Sequence, residues 1–412
     1  MTHEHSQLID PSLNFASPAF FEDPYSYYAK LRESDPVNWN NSLGSWLVTD
    51  YSLVDASLRD PRLSANRKQS FFDNFTTEER ERTGELESFF QQWLMFMDPP
   101  AHDRLKGLLA RNFSQRAIQR YAESTQAVSQ RVAKNLKGRG SIDFLHEFAV
   151  PVSTNTLATM LGVKPEEYGK IVHWSEDLLN FLSNGDEDKA LIEGAVSSHE
   201  SLKGYIQETV EEKRRNQKEG NEDIVGVLGK AVTDGKMTDN EMVAVVANLL
   251  VDGHEPISNT LSNGMIALID NPQQLALLRS QPELIGKTVE EILRFNPFFQ
   301  FVARKASEDI ALGSRIVKKG QKVKLMVSAA NRDPRVFDKP NEFDIQRSPN
   351  RHLALGQGIH FCLGSAVGRL TTSIALNAFL QENPTPTLTE KPTWKPSVGY
   401  RGVNSLALNI NS

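Results

Sequence analysis

Cysteine is nearly missing from this chain. Its 412 residues carry one, Cys362, which excludes an intramolecular disulfide framework. An excess of basic charge is missing too: 46 Lys and Arg stand against 52 Asp and Glu, a net charge of −6, so nothing draws the chain to nucleic acid. The opening stretch MTHEHSQLIDPSLNF is polar, which points away from a signal peptide or membrane anchor and predicts a cytoplasmic protein. Repeats, low-complexity segments and a dividing linker are absent as well. The chain therefore reads as a single domain over residues 1–412, although that exceeds a typical domain length. With 39% hydrophobic and 24% charged residues, it has the balance of a soluble globular protein.

What is present is mostly helical pattern. Pro24 to Glu33 reads as a short helix, and helical periodicity dominates from Pro99 to about Leu268, punctuated by Gly162, Gly185 and Gly220. The run Glu211 to Arg215 reads as a solvated helix end. Val37-Asn38-Trp39 and Ser45 to Val48 flank a turn at Gly44 and predict a hairpin. A second small β region is expected at Ile310 to Leu312 and Arg315 to Val317, followed by Lys322 to Leu325. The fold class is mainly α with a minor β portion.

The lone cysteine sits in Leu355-Gly356-Gln357-Gly358-Ile359-His360-Phe361-Cys362-Leu363-Gly364. Two glycines ahead of the sulfur permit a tight turn and close approach to a flat partner. An apolar-periodic run follows, from Ala366 to Leu380, so Cys362 lies at a helix N-terminus, where free N–H groups favour a thiolate. Such a thiolate is a good iron ligand.

This segment resembles the heme-binding loop of the cytochrome P450 family, Phe-Gly-x-Gly-x-His-x-Cys-x-Gly, with Leu355 in place of the phenylalanine. The resemblance extends through nearly the whole chain. It implies the family's fold, a large helical domain with a small β-rich region, and heme b held through Cys362, with no fused reductase. Leu355 keeps the site apolar and alters packing beside the sulfur. Glu290-Glu291-Ile292-Leu293-Arg294 is similar to the family's Glu-x-x-Arg, because Glu291 and Arg294 share a helix face. The resemblance gives them a structural role, tying their helix to the turn-rich segment from Asn331 to Pro349. Cations for the heme propionates are implied at His102, Lys106, Arg304 and His360. His102 and Lys106 lie one turn apart in Met97-Asp98-Pro99-Pro100-Ala101-His102-Asp103-Arg104-Leu105-Lys106. The family has arginine where Lys106 stands; lysine keeps the charge and loses the two-pronged fork.

The distal segment departs from the family. A periodic run from about Asp239 to Ile269 predicts a helix roughly 45 Å long at 1.5 Å per residue. Within it, Asp252-Gly253-His254-Glu255-Pro256 stands where the family has Ala-Gly-x-Glu/Asp-Thr. Gly253 and Glu255 match, and Glu255 is expected to conduct protons. Pro256 replaces the threonine whose hydroxyl handles protons in the family. It has neither hydroxyl nor N–H, so the Asp252 carbonyl loses its helical partner and a kink is expected. Ser258 and Thr260 lie too far along to substitute. Asp252 itself joins the proton relay, binds an amine or hydroxyl of the substrate, or caps a local backbone group.

The resemblance thus implies a monooxygenase that activates O2 to hydroxylate or epoxidise a small apolar molecule, in natural-product tailoring or small-molecule catabolism. Electrons would come from NAD(P)H through a ferredoxin reductase and a ferredoxin, which Arg351 and Arg369 beside the cysteine loop are placed to meet. The protein is expected to be a monomer. Loss of the threonine leaves open a peroxide-driven oxygenase, an oxidase that couples or desaturates, and a non-catalytic heme-binding auxiliary protein. The substrate pocket is expected from the Phe71 to Phe96 segment, Phe181-Leu182, Val245 to Asp252 and Phe298 to Phe301, with Phe96, Val245, Leu249, Phe298, Phe299 and Phe301 as its candidate walls.

Overall fold

A long buried helix organises the molecule. The computed structural model describes residues 14–66, 72, 75–184, 189–215 and 223–410; Phe71, Gly185, Gly220 and most of the opening polar stretch lie outside them. The helix Asp239–Asp270 starts at a capping box, in which Thr238 accepts from the Glu241 N–H while the Glu241 carboxylate accepts from the Thr238 N–H. Its first half, Met242 to Val251, belongs to one apolar core with Phe90, Trp93 and Leu228. Its last third, Leu261 to Leu268, belongs to another with Phe144, Phe148 and Phe379. Between them the pattern turns polar, from Asp252 to Thr260. That interruption is where the helix meets a cavity.

The helix Ser365–Glu382 follows the cysteine loop and packs on Gln115–Leu136 and on Ile285–Phe295. Strands Val37–Asn40 and Ser45–Val48 pair antiparallel, with Val37 opposite Val48. Lys322–Leu325 adds to Ser45–Val48 in parallel, with Val302–Ala306 antiparallel beyond it and Leu63–Ser64 at the edge. The sequence pattern had grouped Lys322–Leu325 with Ile310–Leu312 and Arg315–Val317, but those two form their own antiparallel pair. Trp46, Val48, Val323 and Leu325 share one apolar core, which is what draws the distant strand to the hairpin. A three-stranded sheet joins Ser141–Asp143, Ala407–Asn409 and Thr387–Leu388. The charged run Glu211 to Arg215 closes the helix Lys189–Arg215, where Lys213 pairs with Asp223 at 2.6 Å and Arg214 with Asp239 at 2.7 Å. No helix among the described residues is long and apolar enough to cross a membrane.

Candidate functional site

The cysteine loop faces the polar midsection of the long helix across a cavity of about 860 Å³. Gly356 and Gly358 both hold left-handed conformations, with φ of 70° and 69°. At Gly358 a side chain would also meet the Leu58 carbonyl at 3.1 Å, so the loop is seated against the segment 58–59 by a residue that only glycine suits. The Cys362 N–H donates to the Leu355 carbonyl at 2.9 Å, closing the loop and presenting the sulfur to the cavity. Burial pushes the thiol up, while the Gly364 N–H, donating to the sulfur, pulls it down.

Four nitrogenous side chains gather around this loop. His102 and His360 stack obliquely, ring centres 4.4 Å apart, and the His102 Nδ1 lies 2.8 Å from the Asp103 carboxylate. Arg304 rises from strand Val302–Ala306 and is 6% exposed. Its guanidinium donates to the adjacent Ala303 carbonyl at 2.9 Å and has no carboxylate partner among the described residues. Burial holds it down at about 10. The His360 Nε2 is buried with no hydrogen-bond partner, and burial, with Arg304 and His102 nearby, pushes its imidazole down to about 3. Lys106 is placed otherwise than the resemblance implied. Its ammonium donates to the carbonyls of Ile359 and, at 3.2 Å, Phe361. A compact ammonium reaches the loop backbone and donates there without the two-pronged fork of an arginine.

The distal helix brings together Asn248, Leu249, Asp252, Gly253, Pro256 and Ile257 on the opposite wall. It continues through Pro256 to Asp270. The Asn248 amide donates to the Asp252 carboxylate one turn on; that spacing was readable in the sequence. Burial pushes the Asp252 carboxyl up to about 7, with the nearby Glu255 acting in the same direction and the Asn248 bond opposing. Among the described residues no backbone N–H donates to the Asp252 carboxylate. Glu255 is turned off the cavity wall, and Lys395 reaches its carboxylate at 3.3 Å. The Thr260 hydroxyl donates to the Pro256 carbonyl at 2.6 Å and that of Ser258 to the Glu255 carbonyl at 3.1 Å, so neither is free. His254 is buried, with Nδ1 2.9 Å from the Leu250 carbonyl. Gly253 packs so closely on the helix Val150–Leu161 that a side chain would stand 2.6 Å from Leu157.

Phe96, Leu249, Phe298, Phe299 and Phe301 line the cavity, as do Phe181 and Leu182. Val245 does not. It lies one turn before Leu249 on the helix and is 1% exposed inside the apolar core. Leu355 lines the cavity beside Cys362.

Glu291 and Arg294 are both fully buried and joined by two bonds of 2.8 Å. Arg294 also donates to the carbonyls of Asn331, Pro340 and Glu342, which engages all five of its N–H groups. Glu291 accepts from Arg347 at 3.1 Å, from Asn350 at 3.1 Å and from the Asp344 N–H at 2.9 Å. Sequence reasoning missed Arg347, which sits 56 residues away with no local signal. Arg369 does not point free for a partner; its guanidinium grips Glu290 at 2.6 and 2.9 Å. Arg351 is exposed.

The donor set suits the heme that the resemblance implies. A sulfur faces the cavity, and beside it lie a buried arginine without a carboxylate and an orphaned imidazole nitrogen, groups that two propionates would satisfy.

The family model described as Cytochrome P450 matches residues 65–393 of this chain. The biotin biosynthesis cytochrome P450 of Bacillus subtilis (strain 168) is 32% identical over 398 residues, 96% of this chain and 98% of that protein. The crystal structure of CalO2 is similar at a TM-score of 0.89 and 28% identity, covering 98% of this chain and 99% of that one. P450BioI in complex with hexadec-9Z-enoic acid ligated acyl carrier protein is similar at 0.88 and 29%, covering 95% and 100%.

Proposed function

The chain belongs to the cytochrome P450 family, and from that premise we propose that it oxidises an apolar small molecule at a heme held by Cys362, with protons reaching the site by a route other than a distal threonine. It is an oxidoreductase that incorporates molecular oxygen. The observation that carries the finer reading is the confrontation of Cys362 with Asp252 and Pro256 across one cavity. A bound heme supplies oxygen activation, and a thiolate ligand favours O–O cleavage. Arg304, His360 and His102 would hold its propionates. Lys106 would brace the cysteine loop through the Ile359 and Phe361 carbonyls.

The chain's own residues bound what happens on the distal side of the cavity. Phe96, Phe181, Leu249, Phe298 and Phe299 exclude water and favour an apolar guest. Pro256 offers no hydroxyl, and the Thr260 hydroxyl is engaged. Water, or a group on the substrate, takes the place of the missing alcohol. The relative P450BioI, solved with an acyl chain on a carrier protein, supports an elongated apolar substrate for this architecture. We assign the role to a single-domain, monomeric, cytoplasmic enzyme in biosynthetic tailoring or catabolism, supplied from NAD(P)H through a ferredoxin and its reductase.

Pro256 favours a second reading, a peroxide-driven oxygenase or a coupling or desaturating oxidase. Cys362 and its intact supports speak against a non-catalytic auxiliary. The test compares oxidation of a generic dye driven by hydrogen peroxide with that driven by reduced ferredoxin and oxygen, in wild type and Pro256→Thr. Ferredoxin-driven turnover that the threonine leaves alone or improves is expected. Efficient peroxide turnover that the threonine diminishes would establish the second reading instead.

A further inference from the structure

Among the described residues, Asp252 is the only carboxylate on the cavity wall. One of its oxygens accepts from Asn248, and the other has no partner among the described residues. Among the described residues no cation forms an ion pair with it. Lys395 is bound to Glu255 and Arg369 to Glu290. Lys106, Arg304, His102 and His360 belong to the cysteine-loop end, and Lys322 and Lys324 reach the cavity from the strand Lys322–Leu325, the Lys324 ammonium lying 4.0 Å from the centre of the Phe301 ring. The neighbouring side chains on this wall are apolar or already bonded: Leu249 and Ile257 are apolar, and the Thr260 hydroxyl serves the Pro256 carbonyl. Pro256 adds no N–H. The wall therefore presents an open carboxylate oxygen, beside the Asn248 amide that orients it, inside an apolar chamber.

An ionised carboxylate held there without a partner is costly, and a cation brought within hydrogen-bond reach offsets that cost most directly. We infer that Asp252, oriented by Asn248, is the recognition site for a basic amine on an otherwise apolar substrate. A substrate hydroxyl would also bond to the open oxygen, but it would leave the charge uncompensated. Asp252 thus sets which substrates bind and how they sit against the distal helix. The inference rests on the monooxygenase reading above, whose cavity it uses.

The holoenzyme is titrated at pH 8 with three probes of one chain length, N,N-dimethyldodecylamine, 1-dodecanol and dodecanoate, following the Soret band. The tertiary amine is crowded at nitrogen, which disfavours direct ligation of the iron. Wild type is expected to bind the amine about tenfold more tightly than the alcohol, the scale of one charge-assisted bond, with dodecanoate weakest. Asp252→Asn is expected to bring the amine to the alcohol's affinity. Asn248→Leu, which leaves the carboxylate in place and removes its orienting donor, is expected to cut the amine preference about threefold, part of one charge-assisted bond. An amine-to-alcohol ratio near one in wild type, or one unchanged in both variants, overturns the assignment. So does a parallel loss of all three probes, which would mark a structural role. A variant that binds the amine as wild type does but wastes more electrons per product would make Asp252 a proton donor instead. The reduced, CO-bound spectrum of wild type is recorded alongside. Absence of a thiolate-type band would sink the monooxygenase reading, whereas its presence with no amine preference sinks only the inference about Asp252.

Discussion

At the scale of the residue, Lys106 and Gly253 show how one atom's reach decides a role. Lys106 carries its ammonium to the carbonyls on either side of His360, and burial lowers its proton affinity. Lys106→Met removes two charged hydrogen bonds from the cysteine loop, each worth about 1.5–3 kcal/mol. Heme transfer to apomyoglobin is expected to speed up markedly in Lys106→Met and far less in Lys106→Arg; equal rates in all three proteins would show that the loop does not depend on this bracing. Gly253 acts through an absence. A methyl there would stand 2.6 Å from Leu157, so Gly253→Ala is expected to cost about 1–3 kcal/mol, the range for overpacking a tight interior. Urea denaturation of the single variant and of Gly253→Ala with Leu157→Ala checks it, since the smaller partner should recover part of the loss. The motif made Gly253 visible in the sequence. Its reason was not visible, because Leu157 lies 96 positions away on another helix.

At the scale of the element, the helix Ile285–Phe295 turns two neighbouring carboxylates to two different tasks. Glu291 points inward, while Glu290 reaches Arg369 on the helix Ser365–Glu382 and His352 at 3.1 Å. Those partners, His352 and Arg369, hold the Glu290 carboxyl down at about 2 despite its burial. Its folded value thus lies below the ordinary 4.5, so its ion pairs stabilise the protein fully above about pH 4.5 and are lost as pH falls from there towards 2. Glu290→Gln should lower the unfolding free energy at pH 7, read by urea denaturation, by an amount on the order of 1–2 kcal/mol, allowing for solvent screening. It should also flatten the acid limb of stability between pH 4.5 and 2. A variant whose acid limb keeps the wild-type slope would assign that slope to other groups. The pair Glu291 and Arg294 was legible because residues three apart on a helix adjoin. Nothing in Glu290 announced a second helix as its partner. The same limit applies to Lys322–Leu325, whose alternation reads as strand but whose register is set by Ser45–Val48, far back in the chain. The long helix was easier, since its periodicity is local. Its one interruption, from Asp252 to Thr260, is also where the cavity opens.

At the scale of the whole molecule, the buried Glu291–Arg294 pair joins parts that no single core unites. Arg294 holds the carbonyls of Asn331, Pro340 and Glu342, and the Asn331 side chain accepts from the Leu353 N–H at 2.7 Å. From Leu353 the backbone connects through the Gly356 N–H, 2.9 Å from the Leu353 carbonyl, to the turn that ends at Cys362. A continuous bonded path thus runs from the helical body to the sulfur. Removing one member of a fully buried pair leaves the other charge uncompensated, at about 3–5 kcal/mol, against a total stability of about 5–15 kcal/mol for an ordinary domain. Arg294→Ala strips five hydrogen bonds at once and is expected to weaken the seating of Cys362 as well as global stability. Arg347→Gln removes a partner from the edge of the same cluster, with its Arg side chain 9% exposed, and should cost less. Arg294→Lys keeps the charge without the fork that serves three carbonyls and should fall between them. The discriminating measurement pairs urea denaturation with the reduced, CO-bound spectrum across the three variants. If the path is real, thiolate ligation is lost in the same order as stability, Arg294→Ala first and Arg347→Gln last. Loss of stability with the thiolate band intact in every variant would confine the cluster to holding residues 331–350, and the cysteine loop would owe its geometry to Gly356, Gly358 and Lys106 alone.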